Sequence, residues 1–133
     1  MGIAPTRVVR VERRINAESA VVWRLLTDVS EWPRWGPSVR RAALSDGATE
    51  LGPGVRGTVW TAAGVALGFT IADFDPGRRW GWRVAGVPAT GHEVIADPGG
   101  CRAVFEVPWW AAPYGAVCAV ALARIERIAV GRQ

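Results

Sequence analysis

A chain of 133 residues, half of them apolar, has the length of one domain and enough apolar side chains for one core. Charged residues make up 21%, which excludes a disordered chain. The net charge of +4 rests wholly on arginine, since no lysine occurs, and the arginines are too scattered to form a nucleic-acid-binding arm.

The first predicted element is a strand over residues 7–15, RVVRVERRI. Val9, Val11 and Ile15 share one face with Arg13, while Val8, Arg10, Glu12 and Arg14 share the other, as in a half-buried strand. Asn16, Glu18 and Ser19 supply capping types before a helical run. Ser19, Val22, Trp23 and Leu26 then follow helical spacing, which lays Val22, Trp23 and Leu26 on the core. Asp28 and Ser30 can cap a second, short helical turn through Trp32, which Pro33 and Pro37 keep short. Trp32 and Trp35, flanked by prolines, predict a rigid aromatic corner.

From Ser38 to about Trp110 the pattern is strand and turn. SVRRAAL ends at Ser45-Asp46-Gly47, and VRGTVWTA follows the turn Gly52-Pro53-Gly54. Gly64 divides it from VALGFTIADF, where Val65, Leu67, Phe69 and Ile71 alternate with smaller residues. After Asp75-Pro76-Gly77, RRWGWRVAG places Trp80, Trp82 and Val84 on one face. Gly86 to Pro88 turns the chain into the strand TGHEVIA. Beyond Asp97-Pro98-Gly99-Gly100, CRAVFEVPW puts Ala103, Phe105, Val107 and Trp109 on one face. Frequent turns with no helix between them mean an antiparallel meander. The chain closes with a helix entered at Pro113 as an N1 residue. Its apolar stripe is Tyr114, Cys118, Ala121, Leu122, Ile125, Ile128 and Ala129, and Arg124 and Arg127 suit its dipole.

Val107 to Ala123 carries no charge, but Pro108, Pro113 and Gly115 interrupt it, and it is short of the roughly 20 residues of a span. It reads as part of a buried amphipathic helix, so no membrane span is expected. Residues 1–20 lack a continuous apolar stretch, so no signal peptide is read. Two cysteines, Cys101 and Cys118, make no disulfide framework, and a single histidine argues against a zinc site. A reduced cytoplasmic protein with no metal and no cofactor is the expectation.

The order is strand, helix, short helix, about six strands, long helix. It predicts an α+β fold. A curved antiparallel sheet of about seven strands wraps around the long C-terminal helix, and two short helices after the first strand fill its open end. Residues 1–133 are read as one domain. A sheet curved around a helix leaves space, and that space is a natural ligand pocket.

The stretch INAESAVVWRLLTDVSEWPRWGPSV resembles the opening of the SRPBCC (START-like, helix-grip) superfamily, in particular its polyketide cyclase/dehydrase type. Ile15, Ala17, Val22, Trp23, Asp28, Trp32, Trp35 and Pro37 match the family pattern in order and spacing. DPGRRWGW resembles the family's turn and strand, HEVIADPGGCRAVFEV resembles its next hairpin, and the likeness covers nearly the whole chain. The resemblance implies the helix-grip fold; the reaction it leaves open, because one fold hosts many functions.

His92 is the one side chain that titrates near neutrality without help, and it alternates with Val94. Facing the cavity, it could serve as the acid/base that ring closure and dehydration require. Facing outward, it would be a wet strand-edge histidine. Glu93 and Glu106 sit on neighbouring strands, with the outer face expected for Glu106. Tyr114 could orient a ligand carbonyl or phenol, or be a hydrogen-bonded core tyrosine. Arg13 could bring charge to the cavity, since it shares a face with Val9 and Val11; Arg83, opposite Trp80 and Trp82, does not. Eight tryptophans are too many for one small core, so some are expected to line a pocket for a flat ligand. The candidate ligand-binding set is Trp35, Trp60, Trp80, Trp82, Phe69, Tyr114 and Arg13, with His92 as the candidate catalytic residue. The chain shows no GxSxG, Walker loop or dinucleotide fingerprint.

Three functions compete. The first is binding of a small hydrophobic molecule, polyketide-like or polycyclic aromatic, with or without cyclase/dehydratase activity. The second is a non-catalytic carrier or sensor of a lipid-like ligand, and the third is a protein- or ribosome-interaction module. A small hydrophobic molecule is the expected partner, a homodimer is the candidate assembly, and nucleic acid is not expected.

Overall fold

The computed structural model describes residues 8–132, so Arg7, the expected start of the first strand, lies outside the described residues. The order is β1 (Val8–Ile15), α1 (Ser19–Thr27), a 3-10 turn (Val29–Glu31), α2 (Trp32–Trp35), and then six strands. These are β2 (Val39–Leu44), β3 (Arg56–Thr61), β4 (Ala66–Asp75), β5 (Arg79–Val84), β6 (Val87–Asp97) and β7 (Gly100–Pro108). A 3-10 segment (Trp109–Tyr114) leads into α3 (Gly115–Gly131). The strands form one antiparallel sheet in the order β1-β7-β6-β5-β4-β3-β2, curved around α3. The meander read from the turns is therefore present, and β1 returns to pair with β7, with Val8 opposite Pro108 and Ile15 opposite Cys101.

Local irregularities curve the sheet and choose its inner face. Register shifts fall between Val39 and Arg41, between Ile71 and Asp73, and between Gly81 and Arg83. Such bulges bend a strand and strengthen its twist. The shift at Ala72 also resets the alternation, so Phe69, Ile71 and Phe74 all belong to the core side. Gly57 is forced by Phe69 across the strand pair: a Cβ there would stand 2.5 Å from both the Phe69 ring and the Ala43 carbonyl.

The two short helices each depart from expectation. α1 buries Val22, Leu25 and Leu26, while Trp23 lies at the margin, edge-on to Phe74 at 5.8 Å. The short turn expected to stop at Trp32 instead continues as α2 to Trp35, because Pro33 occupies the first helical turn, where no N–H is needed. Both rings of this corner are buried, and their indole N–H groups donate to the carbonyls of Leu26 (2.9 Å, from Trp32) and Leu25 (2.8 Å, from Trp35). Trp35 is thus clamped against α1.

The last helix begins at Gly115 instead of Pro113. Pro108 cannot donate to the ladder and ends β7, and Ala111 leaves helical geometry, so the chain makes a 3-10 segment first. That segment turns Trp109 outward, against its expected place on the inner face of the strand; it is 62% exposed. The stripe of α3 holds: Cys118, Ala121, Leu122, Ile125 and Ala129 are buried and Ile128 is partly so.

On the outer face, Arg79 bonds Glu106 and lies 3.1 Å from Asp73, and Glu93 lies between Arg10 (3.9 Å) and Arg78 (3.8 Å). Glu106 faces outward as its alternation predicts.

Candidate functional site

Between α2, α3 and the inner face of the sheet lies a small cavity of about 40 Å³, bordered by Trp35, Trp80, His92, Phe105, Tyr114 and Cys118. Beside it an open groove of about 480 Å³ runs to one end of the sheet, walled by Leu67, Trp82, Val84, Val87, Val107 and Trp110. Ser38, Trp82, Thr90 and Tyr114 border both spaces. The hydroxyls of Ser38 and Tyr114 are 2.5 Å apart, a bond that ties the start of β2 to the start of α3. A third hollow, against Asp97 and Glu18 at the other end of the sheet, contains none of the expected residues.

The inner wall is built by register. Trp80 stands opposite His92, and His92 opposite Phe105, so one line across β5, β6 and β7 carries three ring systems. Trp80 and His92 stack with centroids 3.9 Å apart, and Phe105 meets His92 edge-on at 4.9 Å. Trp32 covers the other side of Trp80, nearly parallel, at 5.4 Å. The Trp80 indole nitrogen is buried and has no hydrogen-bond partner among the described residues.

His92 is 3% exposed, and both its nitrogens are engaged. Nδ1 lies 3.3 Å from the Trp80 carbonyl oxygen, which can only accept, so Nδ1 carries the hydrogen. Nε2 of the neutral ring then accepts from the Thr90 hydroxyl at 2.9 Å, and Thr90 in turn accepts from the Trp82 indole N–H at 3.1 Å. Burial drives the imidazole pKa down to about 3; the Arg79 charge adds to this, and the bond to Trp80 opposes it. The ring is neutral across the physiological range. Burial raises the Tyr114 pKa, with the Ser38 bond opposing, so the phenol keeps its proton. Burial likewise pushes the Cys118 thiol up to about 11. The site therefore offers neutral hydroxyl, phenol, thiol and imidazole groups in an aromatic box.

Of the residues singled out from the sequence, Trp35, Trp80, Trp82, His92 and Tyr114 are brought together here. Phe69 stands behind the lining, packed on Trp32 at 5.6 Å and Trp82 at 5.3 Å. Two members of the set lie elsewhere. Trp60 is on the outer face of β3, beneath the Arg41 guanidinium at 4.5 Å, because Gly57 and Val59 take the inner positions of that strand. Arg13 lies beside α3, where its Nη2 is 2.7 Å from Glu126, and it borders neither cavity nor groove. Sequence reading missed Thr90, Ser38 and Cys118 as lining residues. Thr90 was open to inference, two positions before His92 on the same strand face; Ser38 depends on the tertiary meeting of β2 with α3. Among the described residues, no three His, Cys, Asp or Glu side chains gather as metal ligands, and no helix is long and apolar enough to cross a membrane.

The fold recurs widely among solved structures. Protein MLL2253 from Mesorhizobium loti superposes with a TM-score of 0.75 at 14% identity, over 96% of this chain and 98% of that one. Protein NE0264 from Nitrosomonas europaea gives 0.68 at 16% identity, over 94% and 95%. A protein from Colwellia psychrerythraea described as the Aha1 dimer gives 0.70 at 13% identity, over 92% and 96%. At these identities the likeness is one of fold. No curated protein matches the chain. Residues 6–128 match the family described as polyketide cyclase/dehydrase and lipid transport. Strand order, helix-gripping sheet and this match agree: the chain belongs to the polyketide cyclase/dehydrase and lipid transport family, of SRPBCC type.

Proposed function

We propose that the chain is a single ligand-binding domain, residues 1–133, that holds a flat apolar molecule of polyketide-like or polycyclic aromatic type and works in a reduced cytoplasmic setting. The observation that carries this reading is the apolar groove of about 480 Å³ leading to the Ser38–Tyr114 bond and the aromatic box behind it. Its volume lies within the range of small-molecule sites. The ligand's flat body packs against Trp82 and Val84. A carbonyl or phenol on it takes a hydrogen bond from Tyr114, which keeps its proton.

Holding the ligand accounts for the site better than transforming it. Ring closure or dehydration needs a group that gives or takes a proton near neutrality. His92, the candidate for that role, has a pKa near 3 and both nitrogens bonded. A carrier or sensor is therefore the favoured form of the function, with cyclase/dehydratase activity second.

Titration with hydroxylated anthraquinones, followed by tryptophan emission, tests the binding. Saturable quenching is expected through Trp82, and Tyr114→Phe should weaken it about tenfold for ligands with a carbonyl, in line with one lost hydrogen bond in a buried site. Flat titrations across such ligands would overturn the reading. Product formation from a linear poly-carbonyl substrate, abolished by His92→Ala, would move the assignment from carrier to enzyme.

A further inference from the structure

The charges of this chain are segregated along the sheet. Residues 57–72, 84–91 and 107–123 contain no charged side chain. They hold the β3–β4 turn, the β5–β6 turn and the β7–α3 connection, which all lie at one end of the strands, around the mouth of the groove. The turns at the other end carry Asp46, Asp75 and Asp97.

The uncharged end is also where large apolar side chains stand in water. Trp109 is 62% exposed, Trp110 55% and Val65 54%, and Val87 and Val120 are each 46% exposed. Val8 belongs to the same end through its pairing with Pro108. Among the described residues, Val130 is the one exposed large apolar side chain placed elsewhere, at the far end of α3. Exposed apolar residues scattered singly are ordinary; a set gathered at one end of the molecule, with Val87 and Trp110 on the wall of the groove, marks an interaction surface.

We propose that this end of the molecule docks on the surface of a lipid bilayer, with Trp109, Trp110 and the two hairpin tips at headgroup depth and the groove opening toward the acyl chains. Three features favour a bilayer over a second copy of the chain. The apolar residues come from separate turns around an open mouth, which a second copy would seal and a fluid apolar phase would extend. Tryptophan is the side chain that prefers the membrane–water boundary. Arginines stand just behind the tips. The Arg40 guanidinium reaches to 3.5 Å from where a Cβ of Gly64 would stand, Arg41 covers Trp60, and Arg83 pairs with Pro88 beside the β5–β6 turn. Among the described residues these three have no ion-pair partner, so they are free to meet lipid phosphates. The contact is peripheral, as with an amphipathic surface anchor. It goes beyond the ligand reading and does not depend on it, because Trp109 and Val65 border neither the cavity nor the groove.

Flotation of the full chain with phosphatidylcholine vesicles, with and without phosphatidylglycerol, tests the proposal. Wild type is expected to float with the vesicles, more tightly when phosphatidylglycerol is present, and with a blue shift of tryptophan emission. Trp109→Ser combined with Val65→Ser should weaken flotation about tenfold or more, since both are surface anchors. The same pair should leave the far-ultraviolet dichroism and the vesicle-free anthraquinone titration unchanged. Val130→Ser should float as wild type does, and Arg40→Gln with Arg83→Gln should erase the preference for phosphatidylglycerol. Absence of flotation with either vesicle, or flotation indifferent to Trp109 and Val65, would overturn it. So would a solution dimer that the double serine variant dissolves, because a second copy would then be what covers this end. Vesicle binding and ligand binding are read separately, so failure of one leaves the other standing.

Discussion

At the scale of single residues, the Trp32–Trp80–His92 stack decides the electrostatics of the site. A ring pressed between tryptophan and phenylalanine cannot hold a proton cheaply, and desolvation outweighs the one bond that favours the imidazolium. The consequence for stability has a definite sign. The folded pKa, about 3, lies below the unfolded value near 6.5, so the unfolded chain binds the extra proton between them. Stability is full above the unfolded pKa and is lost as pH falls toward the folded one. Denaturant melts at pH 7 and pH 5 should therefore differ by about 2 kcal/mol from this residue alone, by linkage. His92→Gln should remove most of that difference while lowering stability at pH 7; a wild-type profile equally flat across this range would mean that His92 is not buried neutral. The sequence could nominate His92, because it is the chain's one histidine on an alternating strand. It could not reveal the pKa, which depends on Trp80 and Phe105 arriving from the strands on either side.

At the scale of elements, turn chemistry set most boundaries. Asp75-Pro76-Gly77 and Asp97-Pro98-Gly99 lie at the β4–β5 and β6–β7 turns where the residue types place them. The β5–β6 turn was harder to read. Its two residues, Ala85 and Gly86, both take positive φ (51° and 80°), a conformation suited to tight hairpins but unusual for alanine. The expected turn at Gly86 to Pro88 is therefore two residues long, and Pro88 falls inside β6, beside a place where the ladder is already interrupted. Ala85→Asn, which tolerates this backbone better, should raise stability by about 1 kcal/mol, seen as a higher melting temperature with an unchanged fold. A drop in melting temperature would show that the alanine side chain has a packing role here. The α2 corner, by contrast, was legible as a rigid aromatic unit, although its clamping by the Leu25 and Leu26 carbonyls was not, since that needs α1 folded back against it.

At the scale of the molecule, the apolar groove and the small aromatic cavity share Ser38, Trp82, Thr90 and Tyr114 on their walls, so neutral polar groups stand beside an apolar surface. Binding to the folded state alone should stabilise it by about 2.7 kcal/mol at a ligand concentration one hundred times Kd. Thermal unfolding with a quenching anthraquinone should show the rise, and Tyr114→Phe should shrink it; an unchanged melting temperature at saturation would mean that the dye binds the unfolded chain equally well. Strand alternation, turn residues and the helical stripe of α3 made the α+β architecture readable from the residues, because those signals are local and repeat with the period of each element. The site was readable only in part. Trp80, Trp82 and His92 lie on the strand faces their spacing predicts. Trp60 went to the outer face because Gly57 yields the inner one to Phe69, and Arg13 went to Glu126, a residue 113 positions away. Which face of a strand is inner, and which hydroxyl meets which, depends on bulges and long-range pairings. Those are contacts between distant segments, and no period along the chain encodes them.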